Sequence, residues 1–153
     1  MATSPSDIAI GPSAEYRAIR ALFVEYAEAI GVDLSFQHFE EELEDLAGTY
    51  EVILLARVNG EPAGCVALRR IDATTCEMKR LFVRPPYQTL KFGRRLAEAI
   101  ILEARGRAYS RMRLDTLPSM SRALGLYRSL GFREIEPYRF NPVAGTRFLE
   151  LTL

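Results

Sequence analysis

Glu77–Arg105, EMKRLFVRPPYQTLKFGRRLAEAIILEAR, decides how the rest of this chain is read. With Cys76 in front of it, the segment opens as a strand. Cys76–Val83 is rich in bulky apolar residues, and Pro85-Pro86 removes the donors that further strand pairing needs. After the loop YQTLKFG, apolar residues recur at Phe92, Leu96, Ile100 and Ala104, with Ala97 and Ile101 widening the stripe. That spacing predicts a helix with Arg94, Arg95, Glu98, Glu103 and Arg105 on its outer face. A strand that runs through a short loop into a helix leaves the first helical N–H groups without partners. With the positive end of the helix dipole and Lys91, Arg94 and Arg95 close by, these donors suit a phosphate or pyrophosphate. The same residues also describe an ordinary βα unit with a solvated basic face.

Upstream, Glu51–Val58 (EVILLARV) and Glu61–Ile71 (EPAGCVALRRI) flank Asn59-Gly60, a strong type I′ turn signal, and so predict a hairpin. Ile71–Thr75 turns the chain into the strand at Cys76. Downstream, Arg111–Leu117 is a further strand, which a right-handed crossover places parallel to Glu77–Val83. Parallel neighbours that diverge after one crossover open a cleft between them. Pro118 and Ser119 start a helix over Met120–Leu130, Gly131 ends it, and Phe132–Tyr138 and Thr146–Leu153 read as two closing strands.

Met1–Asp7 reads as a flexible tail and Asp7–Ile10 as a short edge strand. Ser13 is the expected N-cap of a helix from about Ala14 to Ile30 that stops at Gly31. Asp33 or Ser35 is the expected cap of a second helix carrying Phe36, Phe39, Leu43 and Leu46 on one side. Its other side, Glu40, Glu41, Glu42, Glu44 and Asp45, reads as a solvated face, and His38 as a surface residue. The whole reads as one α/β domain over residues 1–153. Its central sheet is mixed, mostly antiparallel, splayed at one parallel strand pair and flanked by about four helices.

At 153 residues and 48% hydrophobic composition, such a domain has enough apolar surface for a substantial core. No run of eighteen apolar residues and no basic-then-apolar leader is present, so a soluble, cytoplasmic protein is expected. Cys65 and Cys76 form no C-x-x-C motif and there is a single His, so no metal site is expected. The net charge of zero hides an asymmetry. Residues 1–60 carry eleven acidic and three basic residues, a balance of −8, and residues 61–153 carry nine and seventeen, a balance of +8. A basic second half favours an anionic ligand, unless folding simply intermixes the charges. No polybasic tract points to nucleic acid or to a membrane surface.

Two motifs in this order resemble the acetyl-CoA-binding core of GNAT N-acetyltransferases. Leu81-Phe82-Val83-Arg84-Pro85 matches the family's strand end, and Gln88 and Gly93 match the first and last positions of its loop. Ala123-Leu124-Gly125-Leu126-Tyr127-Arg128-Ser129-Leu130-Gly131-Phe132 matches its A-x-x-L-Y-x-x-x-G-F helix signature. The resemblance covers residues 50–153 and implies a GNAT-like fold that transfers an acetyl group from acetyl-CoA to a primary amine of a small molecule or peptide by direct attack. It implies that Leu81, Phe82, Val83, Gln88, Thr89, Leu90, Lys91, Phe92, Gly93 and Arg94 bind acetyl-CoA. It also implies Tyr127 as the acid that protonates the leaving thiolate and Glu77 as the base, where the residues alone equally allow Glu77 to pair with a neighbouring Arg. It further implies that Tyr138, Arg139 and Asn141 border the acceptor side, Arg139 suiting a carboxylate, although Asn141-Pro142 is also simply a good turn.

The chain departs from the pattern twice. Lys91 stands where the family usually has its first Gly, and Met120 where it often has Asn. A lysine Cβ disfavours positive φ, so a helical or extended φ is expected at Lys91, with its ammonium adding attraction and Gly93 giving close backbone approach. These departures keep open an acyl-CoA-binding sensor that does no chemistry, and the acidic helix face keeps open a protein-interaction module. Monomer and homodimer are both compatible with the exposed sheet edges.

Overall fold

Strands buried on both faces need a helical layer on each side, and the strands of this chain are mostly of that kind. A computed structural model describes residues 7–35 and 38–153, so most of the expected tail and the apolar position Phe36 fall outside it. Seven strands form one sheet: β1 (Ile8–Pro12), β2 (Val52–Val58), β3 (Glu61–Arg70), β4 (Thr75–Val83), β5 (Arg111–Thr116), β6 (Arg133–Ile135) and β7 (Arg147–Thr152). Their order is β1-β2-β3-β4-β5-β7-β6, and β4–β5 is the parallel pair. The crossover between them is α4 (Phe92–Gly106), as the apolar stripe predicts.

Two cores sit on opposite faces. Helix α4 and α5 (Ser121–Ser129) pack on one, where Phe92, Leu96, Ile100 and Ala104 are fully buried against Leu54, Val66, Leu68, Met78 and Met112. Each large side chain so buried is worth about 1.5–3 kcal/mol. On the other face α1 (Tyr16–Ile30), α2 (Phe39–Glu44) and α3 (Leu46–Thr49) cover Ile53, Leu55, Cys65 and Ala67 with Ile19, Leu22, Phe23 and Phe39. The Asn59-Gly60 turn has positive φ at both residues (51° and 84°), the type I′ geometry that joins β2 to β3.

The first fifty residues depart from expectation. Helix α1 begins at Tyr16 rather than Ala14, and Ser13 is not its N-cap; the Ser13 hydroxyl instead accepts from the Glu15 N–H in a local turn. Asp33 likewise accepts from the Ser35 N–H. The expected second helix is two short ones, broken where Asp45 leaves the helical region (φ −141°, ψ 68°) and caps α3 through Gly48 N–H. Its acidic side is not wholly solvated. Glu42 is buried, because its charge is met from β4. His38 is exposed, in agreement with the sequence reading.

Candidate active site

Strands β4 and β5 pair only over Thr75–Glu77 with Arg111–Arg113. Beyond Glu77 they separate, and the β5-facing edge of β4 runs on to Val83 without that partner. On its other edge β4 stays paired with β3, but irregularly: Ala67 faces Lys79 and Cys65 faces Phe82, so Arg80 and Leu81 together oppose Val66. This is a β-bulge, and Arg80 holds the left-handed backbone (φ 60°) that such a position usually gives to glycine. Gly64 completes it, since a Cβ there would lie 2.6 Å from the Phe82 carbonyl oxygen.

Arg80 is held in that conformation from outside the sheet. Its Nε and Nη2 donate to the two carboxylate oxygens of Glu42 at 2.9 and 2.7 Å, and both side chains are almost fully buried. The guanidinium also lies over the rings of Tyr26 and Phe39 at 5.5 and 5.3 Å. Burial is the largest single influence and lowers the Arg80 pKa, but the Glu42 hydrogen bonds, joined by the fields of Tyr50, Glu42 and Tyr26, hold the value above that of a free arginine. The guanidinium therefore stays charged, and its pairing with Glu42 pins α2 to the bulge.

The separated strands enclose a narrow cleft of about 30 Å³, roughly the share one water takes in the liquid. Lys79, Arg80 and Leu81 line it from β4, Leu114, Asp115 and Thr116 from β5, and Met120 and Tyr127 from α5. Asn141 closes one side and donates to the Asp115 carboxylate at 3.3 Å. Tyr127 is buried, its ring set edge-on to Phe132 at 5.7 Å, and burial pushes its phenol well above the ordinary value. Lys79 moves the other way: burial, with the neighbouring Arg80 charge, lowers its pKa to about 8. The Thr116 hydroxyl is buried against the cleft with no hydrogen-bond partner among the described residues.

Glu77 lies beside this cleft rather than in it. It is completely buried, and its Oε2 accepts from the Tyr138 hydroxyl at 2.6 Å and pairs with Arg139 Nη2 at 2.5 Å. Tyr138 in turn packs edge-on to Phe148 and under the Arg113 guanidinium. Expected site residues Tyr127, Leu81 and Asn141 thus converge on the cleft, while Tyr138 and Arg139 face an adjoining hollow. The segment carrying them is irregular, because strand β6 stops at Ile135 rather than reaching Tyr138.

The loop after β4 is a 3₁₀ helix over Pro85–Leu90. Gln88 Nε2 donates to the Val83 carbonyl at 3.1 Å, tying the loop to the strand end. Lys91 follows with φ 57° and ψ 29°, against the expectation of a helical or extended φ. It ends one helix and precedes the next, and a left-handed residue is the usual way to stop a helix. Gly93, by contrast, has no positive φ, and a Cβ there would meet only Leu126 at 3.9 Å. The Phe92 ring is core, so only its backbone faces outward. Arg94 bridges the helices, donating to Glu98 and to Ser129 Oγ at 2.7 Å. Thr89 and Leu90 border a separate surface hollow with Val58 and Glu61.

The sequence profile of the acetyltransferase (GNAT) family matches residues 16–132. The chain belongs to the GNAT family. An N-acetyltransferase of Schizosaccharomyces pombe, described as uncharacterised, is 38% identical over 140 residues, covering 88% of this chain and 86% of that one. Among solved structures, an acetyltransferase from Streptococcus agalactiae superposes with a TM-score of 0.81 at 24% identity, over 97% of this chain and 99% of that one. A GNAT-family acetyltransferase from Elizabethkingia anophelis, solved with acetyl-CoA bound, gives 0.68 at 22%, over 97% and 99%. As a GNAT protein the chain is an acyl-CoA-dependent acetyltransferase with acetyl-CoA as co-substrate.

The residues present fit that ligand. A thin, amide-bearing arm needs an open strand edge and polar atoms to meet it, and β4 beyond Glu77 and the orphaned Thr116 hydroxyl supply both. Lys79, Arg80 and Asp115 line the cleft, and Glu42 grips Arg80 from outside it, without any of the four belonging to the sequence motifs. One signal was available: Lys79-Arg80 are adjacent cations in an otherwise apolar strand, where regular alternation would drive one of them into the α4 core.

Proposed function

We propose that this protein acetylates a primary amine by direct attack of the amine on the thioester of acetyl-CoA. The observation that carries the reading is the meeting of Tyr127, Asp115 and Lys79 in one cleft where β4 leaves β5. Bound acetyl-CoA supplies an activated acetyl group and a thiol leaving group. The open edge at Leu81–Val83 holds the pantetheine arm by backbone hydrogen bonds, and the N–H groups that open α4 face the pyrophosphate. Tyr127, kept protonated by burial, donates its proton to the departing sulfur. Lys79 and Arg80 set cationic groups beside the cleft, where they favour the negative charge that grows on the carbonyl oxygen.

A direct route also agrees with the cysteines. Burial holds the Cys65 thiol far above its ordinary value and pushes Cys76 up to about 12, so neither offers a thiolate. Asp115 is the carboxylate facing the cleft and takes the ammonium proton in this reading. Glu77, already engaged twice, positions Tyr138 and Arg139 on the acceptor side. Glu77→Gln is then expected to raise the acceptor KM severalfold and leave the pH–rate profile in place, whereas Asp115→Asn shifts activity to higher pH. An upward shift for Glu77→Gln with none for Asp115→Asn returns the base role to Glu77. The reading as a whole is tested by thiol release from acetyl-CoA against a panel of amines, since absence of turnover with all of them leaves only a binding protein.

Lys91 combines a strained backbone with a useful charge. A left-handed non-glycine residue costs about 1–2 kcal/mol, partly offset in a glycine variant by the greater freedom of its unfolded chain. Lys91→Gly is expected to raise Tm by about 2–4 °C. It should also weaken acetyl-CoA binding at low salt and flatten the salt dependence, because the lost ammonium is a screened, long-range attraction. Thermal melts and calorimetric titrations at two salt concentrations check both, and salt-insensitive parent binding refutes the electrostatic role.

A further inference from the structure

We infer that the acceptor carries an oxyanion, a carboxylate or a phosphate, and that Arg69, Arg70 and Arg139 bind it. This rests on the acetyl-transfer reading above. Beside the cleft lies a hollow of about 420 Å³ whose walls hold three guanidinium groups and no acidic residue. Arg139 is neutralised from behind by Glu77. Arg69 and Arg70 make no ion pair among the described residues, so neither charge is spent on a fixed carboxylate partner.

Their placement is fixed by the sheet. Arg69 is the cross-strand partner of Glu77, and Arg70 of Cys76, at the end of β3. The opposite wall is Tyr138–Phe140, which Glu77 anchors through Tyr138 and Arg139. A cross-strand Arg69–Glu77 pair would have consumed the charge, but the Glu77 oxygen that is bonded serves Tyr138 and Arg139 instead. Phe140, 75% exposed, and Ile71 add an apolar rim. A forked guanidinium matches the paired oxygens of a carboxylate or phosphate, and one without an ion-pair partner is free to take them.

The test is thiol release with matched probes: ω-amino carboxylates of increasing length against their carboxamides, and aminoalkyl phosphates against the corresponding amino alcohols. The expected result is a kcat/KM roughly ten- to hundredfold higher for the anionic member, the range for a charge-assisted hydrogen bond. Whether carboxylate or phosphate probes show the larger ratio identifies the anion. Arg69→Gln and Arg70→Gln should each erase most of that ratio through KM, leaving the neutral probes and the acetyl-CoA KM unchanged. Equal kcat/KM for charged and neutral members overturns the anion site while leaving acetyl transfer intact. If no probe releases thiol, transfer itself has failed, and the hollow is then read by NMR of the arginine Nε–H groups. Arg69 and Arg70 signals that stay unmoved by millimolar ω-amino carboxylate overturn the site there too.

Discussion

Tyr127→Phe lowers kcat by about a hundredfold and leaves acetyl-CoA binding close to that of the parent. A positioned general acid is typically worth about 10²–10⁴ in rate, and the proposed acid is this phenol: buried, on α5, with its pKa raised by desolvation. That shift has a definite consequence for pH. A raised pKa keeps the proton on Tyr127 throughout the neutral and mildly alkaline range, so the parent's alkaline limb does not come from this residue. The CoA thiol, with an ordinary pKa of about 8.5, is the stronger acid of the two, so the phenol shares its proton with the developing thiolate, and that help matters less once the pH exceeds the thiol's own value. The mutant's deficit therefore shrinks as pH rises. Phenylalanine keeps the ring packed against Phe132, so the melting temperature should barely move. Equal turnover of the two proteins at saturating substrates, across the pH range, takes Tyr127 out of the mechanism.

Glu42→Ala is the second large effect, and it acts on the fold and the cleft together. It strands Arg80 as an uncompensated buried charge, a loss of about 3–5 kcal/mol, or a Tm drop on the order of 10 °C. The remaining active fraction should also turn over slowly, because the bulge loses its bidentate clamp and keeps only the Phe39 ring against Arg80 from α2. A double variant, Glu42→Leu with Arg80→Met, separates the two consequences. Removing both charges restores most of the stability, since a well-packed apolar pair can replace a buried ion pair. It does not restore kcat, because the bulge loses its bidentate clamp and the cleft its cation. Urea unfolding and steady-state kinetics on the same samples provide the comparison, and wild-type kcat in the double variant removes Arg80 from the working site.

What was legible in the sequence is what short-range physics decides. The Asn59-Gly60 turn, the stripe from Phe92 to Ala104 and the parallel return at Arg111 each depend on residues within one element or its crossover. Tyr127 was found through the motif around it. The features that escaped depend on partners far apart in the chain. Glu42 reads as one more acid on a solvated face until Arg80, thirty-eight residues on, draws it inward. Glu77 reads either as a base or as the partner of an Arg on the neighbouring strand, and it is Tyr138 and Arg139 of a much later loop that meet it. Lys91 escaped for a different reason: intrinsic preference argues against a left-handed lysine, and the junction of two helices overrides it.

The bulge in β4 is a matter of counting. Met78, Leu81 and Val83 belong to the α4 layer, while Phe82 belongs with Cys65 and Ala67 to the α1 layer. If Arg80 were deleted, Lys79 would meet Leu81 and the two-residue rhythm would run unbroken from Cys76 to Val83. Every other side chain would keep the layer it already occupies. The sheet is therefore a regular one plus a single inserted residue, and the inserted residue is the arginine that α2 grips. Substitution can weaken such a cleft by degrees, but gain or loss of one codon is the step that creates or abolishes it.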